Sequence, residues 1–473
     1  MDEWTIPKAS DAIRISLVPP AAFPSASKPQ TFHPPLTYQL FENETIYGYK
    51  NLAVDLKFRQ DDMSPSLAVA YDARLPTDGP SNDSKGDAKV DDVEPLLREY
   101  LPADTPSDLD LSESTFTPPG LCVNTYTRKG SKFQIYHSNV DDPIALDIVR
   151  RSQILVLFFI EAGSVIDLDE DWVKNRWDVF FLYETLPDNK SALVGFCTVH
   201  KYWYFSPAEK TTEGEPAGAE GTDEDRSSSF LGTITEGARF PREHRARISQ
   251  FLVLPPYQKQ GHAKELYNTI VEQYLAGSEV KEITVEDPSE RFEELRDVAD
   301  YTRLKKASLV STAVAQNLLE SRTAAKPWIE TQRQLAKMPR RQFMRMVELL
   351  LLEHIFMTKS PEIDEQLEKY AMYVKERLYR HNKDILMQLE REERGEKLHE
   401  TYVNVFEGYL TLLKKLQPDA LVGLATSSAV DKRIISGKRP QGNISSIAET
   451  GEEDEDEEEL EPPSKKKRLG PKA

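Results

Sequence analysis

The stretch that decides the fold is RISQFLVLPPYQKQGHA, residues 247–263, in which an apolar strand runs through two prolines into a Gln-x-x-Gly-x-Ala turn. Apolar residues recur at helical spacing directly after the turn, at Leu266, Ile270 and Tyr274. The turn is therefore predicted to lie at a helix N-terminus, where the first backbone amides have no partner within the helix and carry partial positive charge. The small residues of the turn would let an anion such as a diphosphate approach the backbone closely.

A second strand is predicted over residues 280–286, and the sequence Glu-Asp-Pro-Ser closes it. Proline cannot donate a backbone hydrogen bond, so Pro288 marks the end of this strand. For the same reason, Pro255 and Pro256 are expected to make the first strand splay or stop. A splayed strand would leave room for the arm of a ligand.

The strand, turn and helix resemble the coenzyme-binding motif of the Gcn5-related N-acetyltransferase (GNAT) superfamily. With the second strand and its Glu-Asp-Pro end, they closely resemble the catalytic subunits of type B histone acetyltransferases, and we expect fungal relatives. Further segments that resemble this family are Tyr-Gly-Tyr-Lys at 47–50, Phe-Ile-Glu at 159–161, and Trp177 at the start of a strand. The resemblance covers roughly residues 30–300 well and is looser over the helical remainder.

The resemblance implies that acetyl coenzyme A (acetyl-CoA) is the cosubstrate and that no metal is needed. The residues that it assigns to the pantetheine arm are Phe251, Leu252 and Val253. Those that it assigns to the pyrophosphate are Gln258, Lys259, Gln260, Gly261, His262, Ala263 and Lys264. It also implies that Ser289 contacts the coenzyme.

A lysine amine, with a reference pKa of about 10.4, arrives protonated at neutral pH and needs a base before it can attack a thioester. The resemblance implies that Glu286 is this base and that Glu161 and Asp287 assist it. A charged helix end in solvent is an equally good interpretation of Glu161. Direct attack requires a donor for the oxyanion, and a strand-end amide near Leu252 or Val253 could supply it.

The chain has two cysteines, Cys122 and Cys197, and neither lies in a pattern typical of a nucleophile or of a zinc site. We interpret both as structural. This agrees with direct attack, which needs no covalent enzyme intermediate.

Substrate contacts are also implied by the resemblance, which points to the N-terminal tail of histone four and to a β-propeller histone-binding subunit as partner. The residues that it assigns to the tail are Glu42, Asn43, Glu44, Trp177, His200, Lys201 and Tyr202. The aromatic residues among them are equally typical of ordinary sheet packing.

Composition sets wider limits. The 473 residues carry a net charge of -19, which disfavours direct nucleic-acid binding and favours a basic protein partner. No apolar run approaches the length of a membrane span, and the N-terminus lacks a secretion signal, so we expect an intracellular protein. An acidic run at 452–459 precedes a basic run at 465–468 that is typical of a nuclear import signal, which predicts nucleus and cytoplasm.

The predicted fold class is α+β, with an α/β-type acetyltransferase core built on a mixed central sheet, an N-terminal mixed domain and a helical C-terminal domain. The expected domains are an N-terminal α/β domain over 1–145 with a mobile loop at 76–92, an acetyl-CoA-binding core over 146–303 with a disordered insertion at 206–240, a helical domain over 304–418, and a disordered tail over 419–473. Two other functions remain open: an acetyltransferase acting on a non-histone amine, and a non-catalytic histone chaperone.

Overall fold

The computed structural model describes residues 3–21, 23, 28–76, 89–112, 116–204, 243–358 and 360–417. The expected insertion at 206–240, the expected tail at 419–473 and most of the expected loop at 76–92 lie outside these residues. The chain divides into two compact units, one made of 1–309 with 326–346 and the other of 310–325 with 347–473. The expected domain limits within and between these units stay predictions.

The N-terminal part of the first unit is built on short strands. Its strands are β1 (Thr5–Ile6), β2 (Ile13–Val18), β3 (Gln30–Phe32), β4 (Ile46–Tyr47), β5 (Tyr49–Lys50), β6 (Ala53–Arg59), β7 (Pro65–Ala70) and β8 (Ala73–Arg74). Four of them form one sheet in the order β3-β2-β6-β7, in which β2 and β6 run parallel. Apolar and polar residues alternate along β2 and β6, because one face of this sheet is buried in the core.

A six-stranded sheet forms the rest of the core of the first unit. Its strands are β9 (Leu121–Arg128), β10 (Ser131–Asn139), β11 (Trp177–Thr185), β12 (Ser191–Trp203), β13 (His244–Val253) and β14 (Val280–Val285). They lie in the order β14-β13-β12-β11-β10-β9, and all neighbours are antiparallel except β13 and β14. Most residues of β11 and β12 are buried, as expected for central strands covered on both faces.

The helices in the described residues are α1 (Ala9–Ala12), α2 (Val93–Arg98), α3 (Pro143–Phe159), α4 (Asp171–Lys174), α5 (His262–Ala276), α6 (Glu290–Lys306), α7 (Thr312–Glu320), α8 (Arg322–Ala336), α9 (Arg340–Thr358), α10 (Ile363–His381), α11 (Lys383–Leu386) and α12 (Arg391–Leu416). Helix α3 begins at Pro143, because Asp142 accepts hydrogen bonds from the amides of Ile144 and Ala145 and Pro143 needs no amide partner there. None of these helices is both long and apolar enough to cross a membrane.

One continuous apolar core joins the two sheets of the first unit and extends from Ala9 to Ala299. In the second unit, the carboxylate of the buried Glu348 lies 2.6 Å from Nε of Arg377 and accepts a hydrogen bond of 2.9 Å from the hydroxyl of Tyr409. The predicted helical C-terminal region and the α+β class are confirmed. Ile385 lies on the short helix α11 and is 66% exposed.

Candidate active site

The sheet opens between its two parallel strands. The pairing of β13 with β14 ends at Ile248 and Val285, and the amide of Glu286 makes a last hydrogen bond of 2.8 Å to the carbonyl of Ile248. Strand β13 nevertheless continues to Val253, so the backbone of its last five residues has an edge that β14 does not cover. Strand β13 stops just before Pro255 and Pro256, as one of the two expected outcomes, and the prolines lie in a 3-10 turn after it. The opening begins earlier along β13, so the prolines are not its cause.

A β-bulge decides which groups face this open edge. Cys197 pairs with Phe251 while Val199 pairs with Ile248, so one residue of β12 faces two of β13. The amides of Gln250 and Leu254 both point toward β12, the first to Oγ1 of Thr198 at 3.1 Å and the second to the carbonyl of Val194 at 2.9 Å.

Because backbone direction alternates along a strand, the backbone groups of Phe251 and Val253 face the open edge and those of Leu252 face β12. Leu252 is therefore not placed to pair with a ligand arm through its backbone or to supply an oxyanion donor. Gln258 reaches back from the turn, and its side-chain amide donates to the carbonyl of Val253 at 2.8 Å. The amides of Phe251 and Val253 are the ones that the fold presents to the open edge.

The turn that follows has the predicted form. Gly261 adopts φ +84°, a left-handed conformation that favours glycine, and precedes the first residue of α5. The amides at the start of α5 have no acceptor within the helix, which makes this end suited to an anion. His262 departs from the expectation in one respect: its side chain is buried, with Nδ1 2.7 Å from the hydroxyl of Tyr126, so only its backbone faces the turn.

Two cations that the sequence analysis missed lie beside this turn. Arg128, the last residue of β9, and Lys129, which follows it, contact Gln260. Burial and then these two cations lower the pKa of His262 to about 4. The basic pair before Gly130 was the only available signal, and nothing in it indicates a contact about 130 residues along the chain.

Glu286 lies where β13 and β14 separate. It is half-buried, and one oxygen of its carboxylate accepts a hydrogen bond of 2.5 Å from the hydroxyl of Ser249 in the bulge. Asp287 is exposed and adopts φ +33°. Ser289 caps α6, with its hydroxyl 3.4 Å from the amide of Phe292. The structure therefore brings Ser249 to Glu286, whereas it turns the side chain of Ser289 toward its own helix.

Glu161 is exposed just after α3, and within the described part of the chain its carboxylate makes no hydrogen bond with Glu286. The loop that carries it is nevertheless held beside the bulge. Gln250 donates to the carbonyl of Ser164 at 2.8 Å and lies 3.3 Å from Gln153 of α3. Glu161 is thus on a segment next to the opening rather than in contact with the other two carboxylates.

A row of side chains leads across the sheet toward Glu286. The ring centroids of Trp177 and His200 are 4.6 Å apart, and those of His200 and Tyr202 are 4.2 Å apart. Arg247 lies over the ring of Tyr202 at 4.4 Å and donates to its hydroxyl at 3.2 Å. Burial, and then Arg176, Arg247 and Lys201, lower the pKa of His200 to about 4, so its ring is neutral at physiological pH.

Lys201 lies on the opposite face, although the resemblance groups it with His200 and Tyr202. Its ammonium is 2.8 Å from the carboxylate of Asp178, which also accepts a hydrogen bond of 3.0 Å from Tyr274 of α5. Burial raises the pKa of Asp178, but His137 and Lys201 outweigh it and hold that pKa below its usual range. Adjacent residues of a strand point to opposite faces, so Lys201 cannot share the row.

The segment Glu42–Glu44 forms a 3-10 turn. Asn43 and Glu44 adopt φ of 53° and 57°, and one oxygen of Glu44 accepts from the amide of Thr37 at 3.4 Å. The same N-terminal stretch reaches the loop of Glu161, because the hydroxyl of Tyr38 accepts from the amide of Ala162 at 2.6 Å. The turn of Glu42–Glu44 thus follows closely along the chain from Tyr38, which contacts the loop of Glu161.

Of the two cysteines, Cys197 fits the structural interpretation, and for Cys122 that interpretation stays a prediction. Cys197 is fully buried in β12, and burial raises the pKa of its thiol well above the ordinary value. Cys122 is exposed on β9.

An antiparallel sheet that opens between one parallel pair, with a glycine turn and a helix after the opening, defines an N-acetyltransferase of the GNAT class. The model of the acetyltransferase (GNAT) family matches residues 152–292. The model described as histone acetyl transferase HAT1 N-terminus matches residues 4–161, and that described as fungal HAT1, C-terminal, matches residues 297–355.

Curated relatives make the assignment narrower. Proteins called histone acetyltransferase type B catalytic subunit are 32% identical in Pyricularia oryzae, over 94% of this chain and 98% of the relative, and 33% identical in Schizosaccharomyces pombe, over 88% and 94%. The one from Aspergillus oryzae is 32% identical over 87% and 86%. The chain belongs to the family of type B histone acetyltransferase catalytic subunits, and the expected fungal resemblance is confirmed.

Proposed function

We propose that this acetyltransferase moves the acetyl group of acetyl-CoA directly to the ε-amine of a lysine in the N-terminal tail of histone four, with Glu286 as general base. The observation that carries the proposal is the position of Glu286. Its carboxylate stands at the point where β13 and β14 part, directly beside the open edge of β13. A thioester held along that edge would lie next to an amine that contacts Glu286.

The chemistry follows from the groups at this place. Acetyl-CoA supplies the activated acetyl group, and the amides of Phe251 and Val253 are available to hold its arm and to donate to the developing oxyanion. Glu286 takes a proton from the lysine ammonium, which frees the nitrogen lone pair for attack on the thioester carbonyl. The tetrahedral intermediate then breaks its C–S bond, and coenzyme A leaves as a thiol that carries the second proton of the attacking nitrogen. Ser249 fixes one carboxylate oxygen of Glu286 and leaves the other for the amine.

The substrate side supports a basic extended peptide. The row from Trp177 through His200 and Tyr202 offers aromatic surface that leads to Glu286. The loop of Glu161 and the turn of Glu42 and Glu44 add carboxylates near the end of α3, and these would attract a tail rich in lysine. The relatives are named for histone acetylation, which agrees with such a substrate.

Partner and location complete the proposal. The relatives are called catalytic subunits, which supports assembly with a second subunit, and we propose a β-propeller histone-binding protein in that role. The basic run at 465–468 supports work in the nucleus as well as in the cytoplasm.

The decisive experiment compares the unmodified protein with Glu286→Gln and with Glu293→Gln, a change of one exposed carboxylate on the neighbouring helix. Acetyl transfer to core-histone tail peptides and acetyl-CoA binding are measured in parallel. Glu286→Gln should bind the coenzyme normally and lose a factor of roughly a hundred or more in kcat, as expected for a general base. Glu293→Gln should retain both activities.

Other outcomes would redirect the assignment. If the protein binds the coenzyme and acetylates other amines but not the histone four peptide, the proposed substrate is wrong and one of those amines takes its place. Absence of coenzyme binding would favour a histone chaperone. Full activity of Glu286→Gln would remove Glu286 as the base.

A further inference from the structure

The hairpin of β9 and β10 holds the coenzyme turn by two hydrogen bonds to a single residue, one from the end of β9 and one from the turn after it. Nη1 of Arg128 donates to the carbonyl oxygen of Gln260 at 2.7 Å, and Nζ of Lys129 lies 3.0 Å from the side-chain oxygen of the same glutamine. The side-chain amide of Gln260 in turn donates to the carbonyl of Pro256 at 3.0 Å. Gln260 is thus fixed at both its backbone and its side chain.

The backbone contact has a directional consequence. In a trans peptide, the carbonyl of one residue and the amide N–H of the next point in opposite directions, and the described residues contain no cis peptide bond. When Arg128 holds the carbonyl of Gln260 on the hairpin side, the N–H of Gly261 must point away from the hairpin. Arg128 also lies against the Cα of Gly261, so a Cβ there would collide with its guanidinium.

The same pair sets the charge near the helix start. Arg128 lies between the turn and α5, where its Nη2 is 4.0 Å from the carboxylate of Glu265. Burial is the main cause of the low pKa of the neighbouring His262, and the two cations lower that pKa further. A positive potential and a fixed N–H direction are what a diphosphate needs from a backbone turn.

We infer that Arg128 and Lys129 are positioning residues for the coenzyme turn: they orient the Gln260–Gly261 peptide toward the diphosphate of the coenzyme. This inference rests on the proposed function, because it assumes that the turn binds acetyl-CoA. It assigns part of the coenzyme affinity to a hairpin outside the strand-turn-helix motif. It also accounts for the left-handed Gly261, whose lack of a side chain makes room for the guanidinium.

The test measures the Kd for free coenzyme A by calorimetry, together with kcat and the two KM values, in the full-length protein. Loss of a hydrogen bond from a charged group predicts that Arg128→Ala raises the Kd and the KM for acetyl-CoA by roughly tenfold or more. The value of kcat and the KM for the peptide should change by less than about twofold, since Glu286 and the aromatic row are untouched. Arg128→Lys should recover part of the loss, because lysine keeps the charge but not the planar fork.

Three controls make the result specific. Arg14→Ala removes the same charge from an exposed pair with Asp55 and should leave the Kd unchanged. Lys129→Ala removes an exposed side chain, so it tests the inference even if Arg128→Ala fails to fold, and it should raise the Kd for coenzyme A by a smaller factor. Dephospho-coenzyme A, which keeps the diphosphate and lacks the 3′-phosphate, should lose affinity for Arg128→Ala by the same factor as coenzyme A.

Each contrary result has a distinct meaning. Unchanged affinity in both Arg128→Ala and Lys129→Ala would overturn the inference and leave the proposed function standing. A loss seen with coenzyme A but not with its dephospho form would mean that Arg128 contacts the 3′-phosphate itself, which also overturns the positioning role. No binding of coenzyme A by the unmodified protein would overturn the proposed function.

Discussion

The hydroxyl of Ser249 lies 2.5 Å from the carboxylate of Glu286, across the gap where the two parallel strands separate. The bulge in β13 is what brings Ser249 to this place, because it puts Ser249 and Gln250 together opposite one residue of β12. The hydrogen bond fixes the carboxylate that we propose as the base.

Ser249→Ala should therefore slow acetyl transfer without weakening coenzyme binding. Loss of a hydrogen bond to a charged group predicts a decrease in kcat of about tenfold or more. The KM for acetyl-CoA should stay within about twofold, because Phe251 and Val253 keep their backbone direction. Ser249→Thr, which keeps the hydroxyl, serves as the matched variant in steady-state kinetics. Equal rates for Ser249→Ala and the unmodified protein would contradict a role for this contact.

Gly195→Ala should displace the end of β13, the strand that we propose to hold the coenzyme, from the side on which β12 lies. A Cβ at Gly195 would lie 2.5 Å from the carbonyl oxygen of Leu252 and 3.0 Å from Cα of Val253, and backbone atoms cannot turn away. We expect the KM for acetyl-CoA to rise roughly tenfold as the strand shifts, and the free energy of unfolding to fall by about 1–3 kcal/mol.

Gly408→Ala is the matched control for that change. Gly408 lies in α12, is exposed, and has open space where a Cβ would stand. Alanine should raise the stability of this helix by about 0.8–1 kcal/mol and leave the KM unchanged. A normal KM for Gly195→Ala would show that the strand tolerates the displacement.

Lys201→Met should affect stability rather than substrate binding. It leaves the buried carboxylate of Asp178 without its ammonium partner, and breaking such a pair costs about 3 kcal/mol in the free energy of unfolding. Denaturant unfolding and peptide kinetics test the two effects separately. Trp177→Ala, on the opposite face, should raise the KM for the peptide; a raised KM for Lys201→Met with normal stability would place Lys201 on the substrate side instead.

His262 should make the first unit sensitive to acid. Its pKa in the folded chain is about 4, below the ordinary value of 6.5, so the folded state binds this proton less tightly than the unfolded state. The contribution of neutral His262 to the free energy of unfolding is therefore complete above pH 6.5 and is lost as the pH falls toward 4. Thermal unfolding of His262→Asn should be less pH-dependent over this range, and NMR titration of the imidazole should give a midpoint near 4; a midpoint near 6.5 would contradict the burial argument.

Sequence patterns predicted much of the fold because the signals are local. The apolar runs of β11 and β12 and the glycine turn before α5 each depend on neighbouring residues in the chain. The opening in the sheet was predicted but attributed to the wrong cause, because its position depends on where β14 stops relative to β13. The sequence of β13 gives no information about where its partner strand β14 ends.

The candidate site shows the same division. The placement of Lys201 could have been foreseen, since period two separates it from His200 and Tyr202 on any regular strand. The exclusion of Leu252 could not, because the bulge at Ser249 and Gln250 changes which residues face the open edge. The resemblance assigned Lys201 and Leu252 to the same roles as the residues next to them in the sequence.

By itself, the sequence determined the strand, the left-handed Gly261 turn, the helix after it and the Glu-Asp-Pro end of β14, and with them the family. Only the tertiary structure decided that Ser249 meets Glu286, that Arg128 meets Gln260, and that the amides of Phe251 and Val253 face the opening. The physical reason is that local spacing fixes elements, whereas contacts between distant segments depend on strand register. One inserted residue in a strand moves every following side chain to the other face.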